Sequence, residues 1–162
     1  MSGPLANLDS IPWDKIHHAY GAATDVPQLL RALLSRVGAK REKALRELYG
    51  NLWHQHTIYE ATSYAVPFLV ALLDAPETPH KAEIAIYLAN LFLAQTGESE
   101  HMEATRRTVE SGAATYLRLL TSKNDGDQIA AAYLLGLIRQ WDVIRKDDDL
   151  SVIEQVAKAA AK

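Results

Sequence analysis

The run Trp53-His54-Gln55-His56-Thr57-Ile58-Tyr59-Glu60 holds the densest set of groups able to do chemistry. His54, His56 and Glu60 offer two imidazoles and a carboxylate, which are transition-metal ligand types, and His56 and Glu60 stand at i, i+4. A metal site, however, needs three or four ligands in tight geometry with an outer shell to orient them. No other stretch points to the same place, and His17-His18 makes no better set. The run therefore reads as a connection that packs Trp53 and Tyr59, uses its histidines for hydrogen bonds or partner contact, and holds no metal.

Other chemistry is thinner still. The chain has no cysteine, so it offers no thiol nucleophile, thiolate ligand or disulfide. It has neither a nucleophile-elbow spacing nor a glycine-rich phosphate loop, and no residue is assigned a catalytic role or a cofactor. Asp147-Asp148-Asp149 precedes Ser151 and reads as a solvated helix entrance whose charge suits the N-terminal dipole. Arg31, Arg36, Lys40, Arg41, Lys43 and Arg46 against Glu42 form a basic strip, followed by an acidic tract through Glu110. Clustered cations can neutralise phosphates. Here Glu42 with Arg46 and Lys43 with Glu47 have the spacing of ordinary helix pairs, and the whole chain carries −3, less basic than a duplex-binding surface. The strip suits an acidic protein partner at least as well as nucleic acid.

Those residues must be positioned by a fold. With 162 residues, 48% apolar and 23% charged, the composition is that of one soluble globular domain. Ile84 to Ala94 is the longest nearly apolar run and is too short to span a bilayer. The opening MSGPLANLDSIPW lacks a basic region followed by an apolar one, so neither membrane nor signal peptide is expected and the location read is cytoplasmic.

Period-3.6 patterning predicts helices throughout, and no sustained alternation predicts a sheet. Ser10 and Pro12 open a first helix with Trp13, Ile16, His17 and Tyr20 on one face, ended by Gly21. Asp25 caps a second with Pro27 in its first turn, ending at Gly38, and a third spans about 40–53. Thr57 and Glu60 have capping-box spacing, so a fourth starts at Ile58 and kinks at Pro67. Residues 81–95 are apolar nearly all round, which predicts a helix buried on several sides. Ser99 caps a helix to about Glu110, Gly112 divides it from 113–121, Asp127 caps another through Trp141, and Ser151 opens the last.

The helices repeat. Val26-Pro27-Gln28-Leu29-Leu30 recurs as Val66-Pro67-Phe68-Leu69-Val70 and, more weakly, as Ala113-Ala114-Thr115-Tyr116-Leu117. Leu48-Tyr49-Gly50-Asn51-Leu52 aligns with Tyr87-Leu88-Ala89-Asn90-Leu91 and with Leu134-Leu135-Gly136-Leu137-Ile138, so Gly50, Ala89 and Gly136 share a position suited to close helix approach. Asn51 and Asn90 share the next, where a side-chain bond to a neighbouring backbone turn is expected. Repeats of two helices at these spacings resemble HEAT or armadillo arrays. The expected fold is an all-α HEAT/armadillo-like superhelix of about four helical hairpins, as one domain with units at about 10–37, 39–74, 80–122 and 126–161.

GNLWHQHTIYEATSYAVPFLVALL and AYGAATDVPQLLRAL further resemble a bacterial family of small HEAT-repeat proteins, departing from it at Gln55-His56, where a glycine is expected after the glutamine. The resemblance implies a non-enzymatic protein-binding module and suggests an immunity protein that neutralises a bacterial toxin. The alternative it carries is a DNA-binding or base-repair protein using the 31–46 strip, because HEAT-like folds include DNA glycosylases. The residues expected to meet the partner are Trp53, His54, His56, Tyr59, Glu60, Arg41 and Arg46, with Tyr64 also reaching the surface.

Overall fold

The computed structural model describes residues 3–146, with side chains through Trp141. The expectations at Asp147–Asp149 and Ser151 lie outside the described residues. The chain there is all-α apart from two short ribbons. In order it forms β1 (His17–His18), β2 (Gly21–Ala22), α1 (Val26–Ala32), α2 (Gly38–Leu52), β3 (Trp53–His54), β4 (Thr57–Ile58), α3 (Glu60–Asp74), α4 (Lys81–Phe92), α5 (Ser99–Ser111), α6 (Ala113–Leu119) and α7 (Asp125–Lys146). β1 pairs antiparallel with β2, and β3 with β4.

The expected first helix is absent. A short 3-10 turn at Leu8–Ser10 leads into the β1–β2 hairpin, where Gly21 takes φ 127°. Local hydrogen bonds replace the helical ones: the Tyr20 amide donates to His18 Nδ1 at 3.1 Å and the Ala19 amide to the Asn51 carbonyl at 3.0 Å. Trp13, Ile16 and Tyr20 mimic a helical stripe, yet Trp13 and Ile16 are buried while Tyr20 is 68% exposed.

The second correction concerns the start of α3. Thr57 lies in β4 rather than at a helix cap, and the cap is Tyr59. Its amide donates to Thr62 Oγ1 at 3.0 Å, and the Thr62 hydroxyl donates to the Leu52 carbonyl at 2.7 Å, so one buried side chain starts α3 and finishes α2. Pro67 does not interrupt α3, which runs unbroken from Glu60 to Asp74. Pro67 lies on the exposed side of α3.

α4 and α7 lie side by side in the same sense. At one end the Ala82 amide donates to Asp127 Oδ1 at 3.0 Å, and at the other the rings of Phe92 and Trp141 are 5.1 Å apart. Asp127 thus caps α4 rather than its own helix, and Asn124 Oδ1 accepts the Asp127 amide instead. α2 joins the same layer: the Tyr87 hydroxyl donates to the Leu48 carbonyl at 2.7 Å and Asn90 Nδ2 to the Tyr49 hydroxyl at 2.9 Å. α3 leads back from the β3–β4 ribbon and packs against α4, α5 and α6. As the apolar run predicts, α4 is buried on several sides, with Ile84, Tyr87, Leu88, Leu91 and Phe92 in the core and Ile86 outside it. Each such side chain contributes about 1.5–3 kcal/mol of burial.

Gly50 does not serve close approach, since a Cβ there would meet nothing within 4 Å. Gly97 and Gly112 are constrained: at Gly97 φ is 144° and a Cβ would stand 2.8 Å from the Ile58 carbonyl oxygen, and at Gly112 a Cβ would stand 2.7 Å from Tyr116 Cζ. Gly50→Ala should therefore stabilise the protein by about 0.5–1 kcal/mol, the ordinary helix gain. Gly97→Ala should destabilise it by about 1–3 kcal/mol. Denaturant midpoints of the two variants check the pair, and a loss at Gly50 would refute the open space read there.

Burial also sets an alkaline limit. Tyr87 and Tyr116 are fully buried, each donating to a carbonyl (Leu48 and Val109), and burial pushes both phenols above the ordinary value of 10.0. The unfolded chain loses those protons first, so stability is complete below about pH 10 and falls as pH rises above it. Phenolate absorbance from these two rings should emerge together with loss of helical circular dichroism. Phenylalanine at both positions should flatten that dependence.

Candidate functional site

The expected site residues separate into two places. Trp53, His54, His56, Tyr59 and Glu60 stay together around the β3–β4 hairpin. Arg46 and Arg41 lie back along α2, roughly 10 and 18 Å from Trp53 at the helical rise. Arg41 is structural: Nη1 donates to the Ser35 carbonyl at 2.7 Å, holding the turn before α2, and its Nε is buried without a partner. Arg46 is exposed and forms no ion pair among the described residues. The Glu42–Arg46 pair does not form there either, whereas Lys43 and Glu47 approach to 3.9 Å.

The hairpin itself is a two-residue turn, with Trp53 opposite Ile58 and His54 opposite Thr57. Its central residues Gln55 and His56 take φ 50° and 65°. Such a turn matches the twist of the strands only with φ positive at both positions, which favours glycine. This is the physical reason for the glycine expected after the glutamine, and the chain holds an imidazole there instead. Strain of this sort persists where surrounding contacts over-determine it. His56 meets Trp53 edge-on at 5.0 Å, Trp53 meets Tyr49 at 5.9 Å, and Tyr49 lies 4.2 Å from Tyr87 in the core. Trp53 Nε1 is buried and has no hydrogen-bond partner.

The neighbouring ribbon extends the row. Tyr20, at the tip of β1–β2, makes a 3.2 Å hydrogen bond to His54 Nδ1, with the rings edge-on at 5.6 Å. Beneath it His18 Nδ1 accepts the Tyr20 amide, so Nε2 carries the ring proton and donates to Asp25 Oδ1 at 2.9 Å. Asp25 Oδ2 in turn accepts Asn51 Nδ2 at 2.7 Å. This histidine–carboxylate pair resembles part of a catalytic relay, but both imidazole nitrogens are committed and neither is free to take a proton from a nucleophile. Asn51 and Asn90 do share a role, each bonding a side chain earlier in the chain, Asp25 and Tyr49, rather than a backbone turn.

On the other flank, Thr57 and Thr96 bridge, and the Gln95 amide donates to the His56 carbonyl at 3.0 Å. A groove of ≈ 680 Å³ opens here, lined by His17, Tyr59, Glu60, Glu98, Glu100 and His101 among others. No group of three or more His, Asp or Glu side chains among the described residues is arranged to hold a metal ion. No helix among them is long and apolar enough to cross a membrane.

No protein-family model, curated protein or solved structure matches this chain.

Sequence reasoning does not single out Tyr20, His18, Asp25 or the groove residues Glu98 and His101. Tyr20 sits at helical spacing from Trp13 and Ile16, which hides a hairpin tip. The ribbon partners of Thr57 and His56 lie about forty residues on, in a stretch whose only signal is Gly97.

The turn strain can be measured. Gln55 is exposed, so Gln55→Gly should gain about 0.5–1 kcal/mol, the left-handed penalty less the extra backbone entropy of glycine. His56→Gly relieves the same strain and loses the edge-on contact with Trp53, so its gain should be smaller or nil. Chemical denaturation decides, and a larger gain at His56 would show that the ring packing contributes nothing.

Proposed function

We propose that this chain is a non-catalytic protein-binding module that meets its partner along the edge formed by Tyr20, His54, His56 and Trp53. The observation that carries this reading is the row of edge-on rings running from the exposed Tyr20 through His54 and, across a turn of two non-glycine residues at positive φ, from His56 back to Trp53. Rings held in place this way offer contact area with little side-chain entropy left to lose. Glu60, Glu98 and Glu100 along the adjoining groove favour a cationic face on the partner.

The framework proposed for it is a HEAT/armadillo-like superhelix of about four hairpins. The parallel side-by-side placement of α2, α4 and α7, with contacts recurring 39 to 49 residues apart, supports that arrangement. Within a bacterial cytoplasm, the role we favour is immunity, with the partner a toxin whose own surface is basic. Nucleic acid is the weaker reading. Arg31 is bound to Asp9, Lys43 pairs with Glu47 and Arg41 holds a carbonyl, which leaves Arg36, Lys40 and Arg46. Three cations neutralise about three phosphates, well short of the 6–10 of a salt-sensitive DNA binder.

The test is a photo-crosslinking residue placed at position 20 or 56, with position 129 on the far face as control, in the native host. One protein should couple from 20 and 56 and not from 129. Its purified complex should weaken at least about thirtyfold, a hot-spot loss near 2 kcal/mol, on Tyr20→Ala with Trp53→Ala. Expressed alone that protein should arrest growth, and the chain but not the double variant should restore it. Coupling equally from all three positions, or binding only to DNA, would refute the module.

A further inference from the structure

The edge of the layers opposite the ribbons carries a second concavity. A cavity of ≈ 490 Å³ opens where the connections α3–α4 and α6–α7 meet, beside the first turn of α4. Thr78 lines it at 6% exposure, and its hydroxyl has no hydrogen-bond partner. Unmatched buried hydroxyls are rare in folded proteins, and each calls for something that completes it.

The acceptors bordering this cavity are already engaged. Asp127 takes the Ala82 amide on Oδ1 and the Ser122 hydroxyl on Oδ2 at 2.9 Å, while the Asp74 carboxylate holds Nε and Nη2 of Arg118. Donors are what remain. The Lys81 ammonium forms no ion pair among the described residues, and the Lys81 amide, first in α4, donates to no acceptor there. Amides at a helix N-terminus point out of the helix and carry the positive end of its dipole. A hydroxyl, an ammonium and an amide without partners then border one space, in which Asp74 is paired with Arg118 and both oxygens of Asp127 already accept hydrogen bonds.

We propose that this cavity binds a small oxyanion, a phosphate or carboxylate group, held by Thr78, Lys81 and the first turn of α4. The site is separate from the Tyr20–His56 edge and does not depend on the reading of that edge. Anion binding at helix N-termini is common chemistry, and what selects this one is the buried hydroxyl lining the same cavity.

Amide spectra of the full chain titrated with inorganic phosphate, with acetate, and with chloride at matched ionic strength test it. Phosphate or acetate should give saturable shifts at Thr78, Lys81 and Ala82 that chloride does not. A response to phosphate alone identifies a phosphoryl ligand, and a response to both identifies the oxyanion itself. Lys81→Gln and Thr78→Val should each weaken binding at least about tenfold, the loss of one charge-assisted contact. Should Thr78→Val fail to fold, Lys81→Gln decides, because Lys81 is not buried. No saturable shift in the parent chain, or unchanged affinity in Lys81→Gln, overturns the proposal.

Discussion

The last turn of α2 ends in carbonyls that no residue of its own helix can satisfy, and the surrounding structure is arranged around supplying them. A helix terminus buried without partners is costly, since each orphan carbonyl forfeits its water. Here the Ala19 amide reaches the Asn51 carbonyl and the Thr62 hydroxyl reaches that of Leu52, while the Tyr87 hydroxyl adds to Leu48 one turn earlier. Those three donors belong to the β1–β2 hairpin, α3 and α4. One helix end thereby fixes the place of three other elements. α4 repeats the device at its own end, where the Arg106 guanidinium donates to the carbonyls of Phe92 and Ala94 while lying 4.4 Å over the Trp141 ring.

Much of the helical layout is legible in the sequence for plain reasons. Pro27 sits where a first turn tolerates a missing amide, Gly112 divides α5 from α6, and the nearly uniform apolar run from Ile84 predicts the buried α4. What stays hidden is short or depends on distant partners. Ribbons of two residues are too brief for an alternating pattern, and β1–β2 is held by bonds to His18 and Asn51 that no local spacing reveals. Thr57 has the spacing of a cap and lies in a strand, while Tyr59 takes the cap position and Thr62 accepts its amide and donates to the Leu52 carbonyl. Gly50 reads like a packing residue by alignment with Ala89, although the space beside it is open.

The candidate site divides along the same line. Its residues from Trp53 to Glu60 are contiguous in the chain, so their clustering follows from sequence order alone. Arg41 and Arg46 are nearby in sequence and distant in space, because α2 carries them away from its own C-terminal end. Tyr20 is the reverse case, thirty-four residues from His54 and hydrogen-bonded to it. Asp25 has the position of a helix cap and makes no capping bond, since both carboxylate oxygens are drawn to His18 and Asn51. That triangle ties the first ribbon, α1 and α2 together beneath the aromatic row, so the proposed contact edge stands on a satisfied polar base.

The parallel sense of α2, α4 and α7 gives the two edges opposite electrical character. Aligned peptide dipoles place about half a negative charge at each C-terminal end and half a positive charge at each N-terminal end, and parallel neighbours add rather than cancel. The C-terminal ends of α2 and α4 lie at the ribbon edge, where Glu60, Glu98 and Glu100 add formal negative charge to the same side. The N-terminal ends lie at the other edge, with Lys40 and Arg41 in the first turn of α2 and Lys81 opening α4. Cations at a helix N-terminus oppose the dipole, so they raise the local positive potential instead of relieving it. Glu83 in the first turn of α4, and Asp125 and Asp127 in that of α7, relieve part of it, with Asp127 Oδ1 accepting the Ala82 amide. The proposed cationic partner at the ribbons and the proposed oxyanion beside α4 thus draw on one architectural feature, the common direction of three helices.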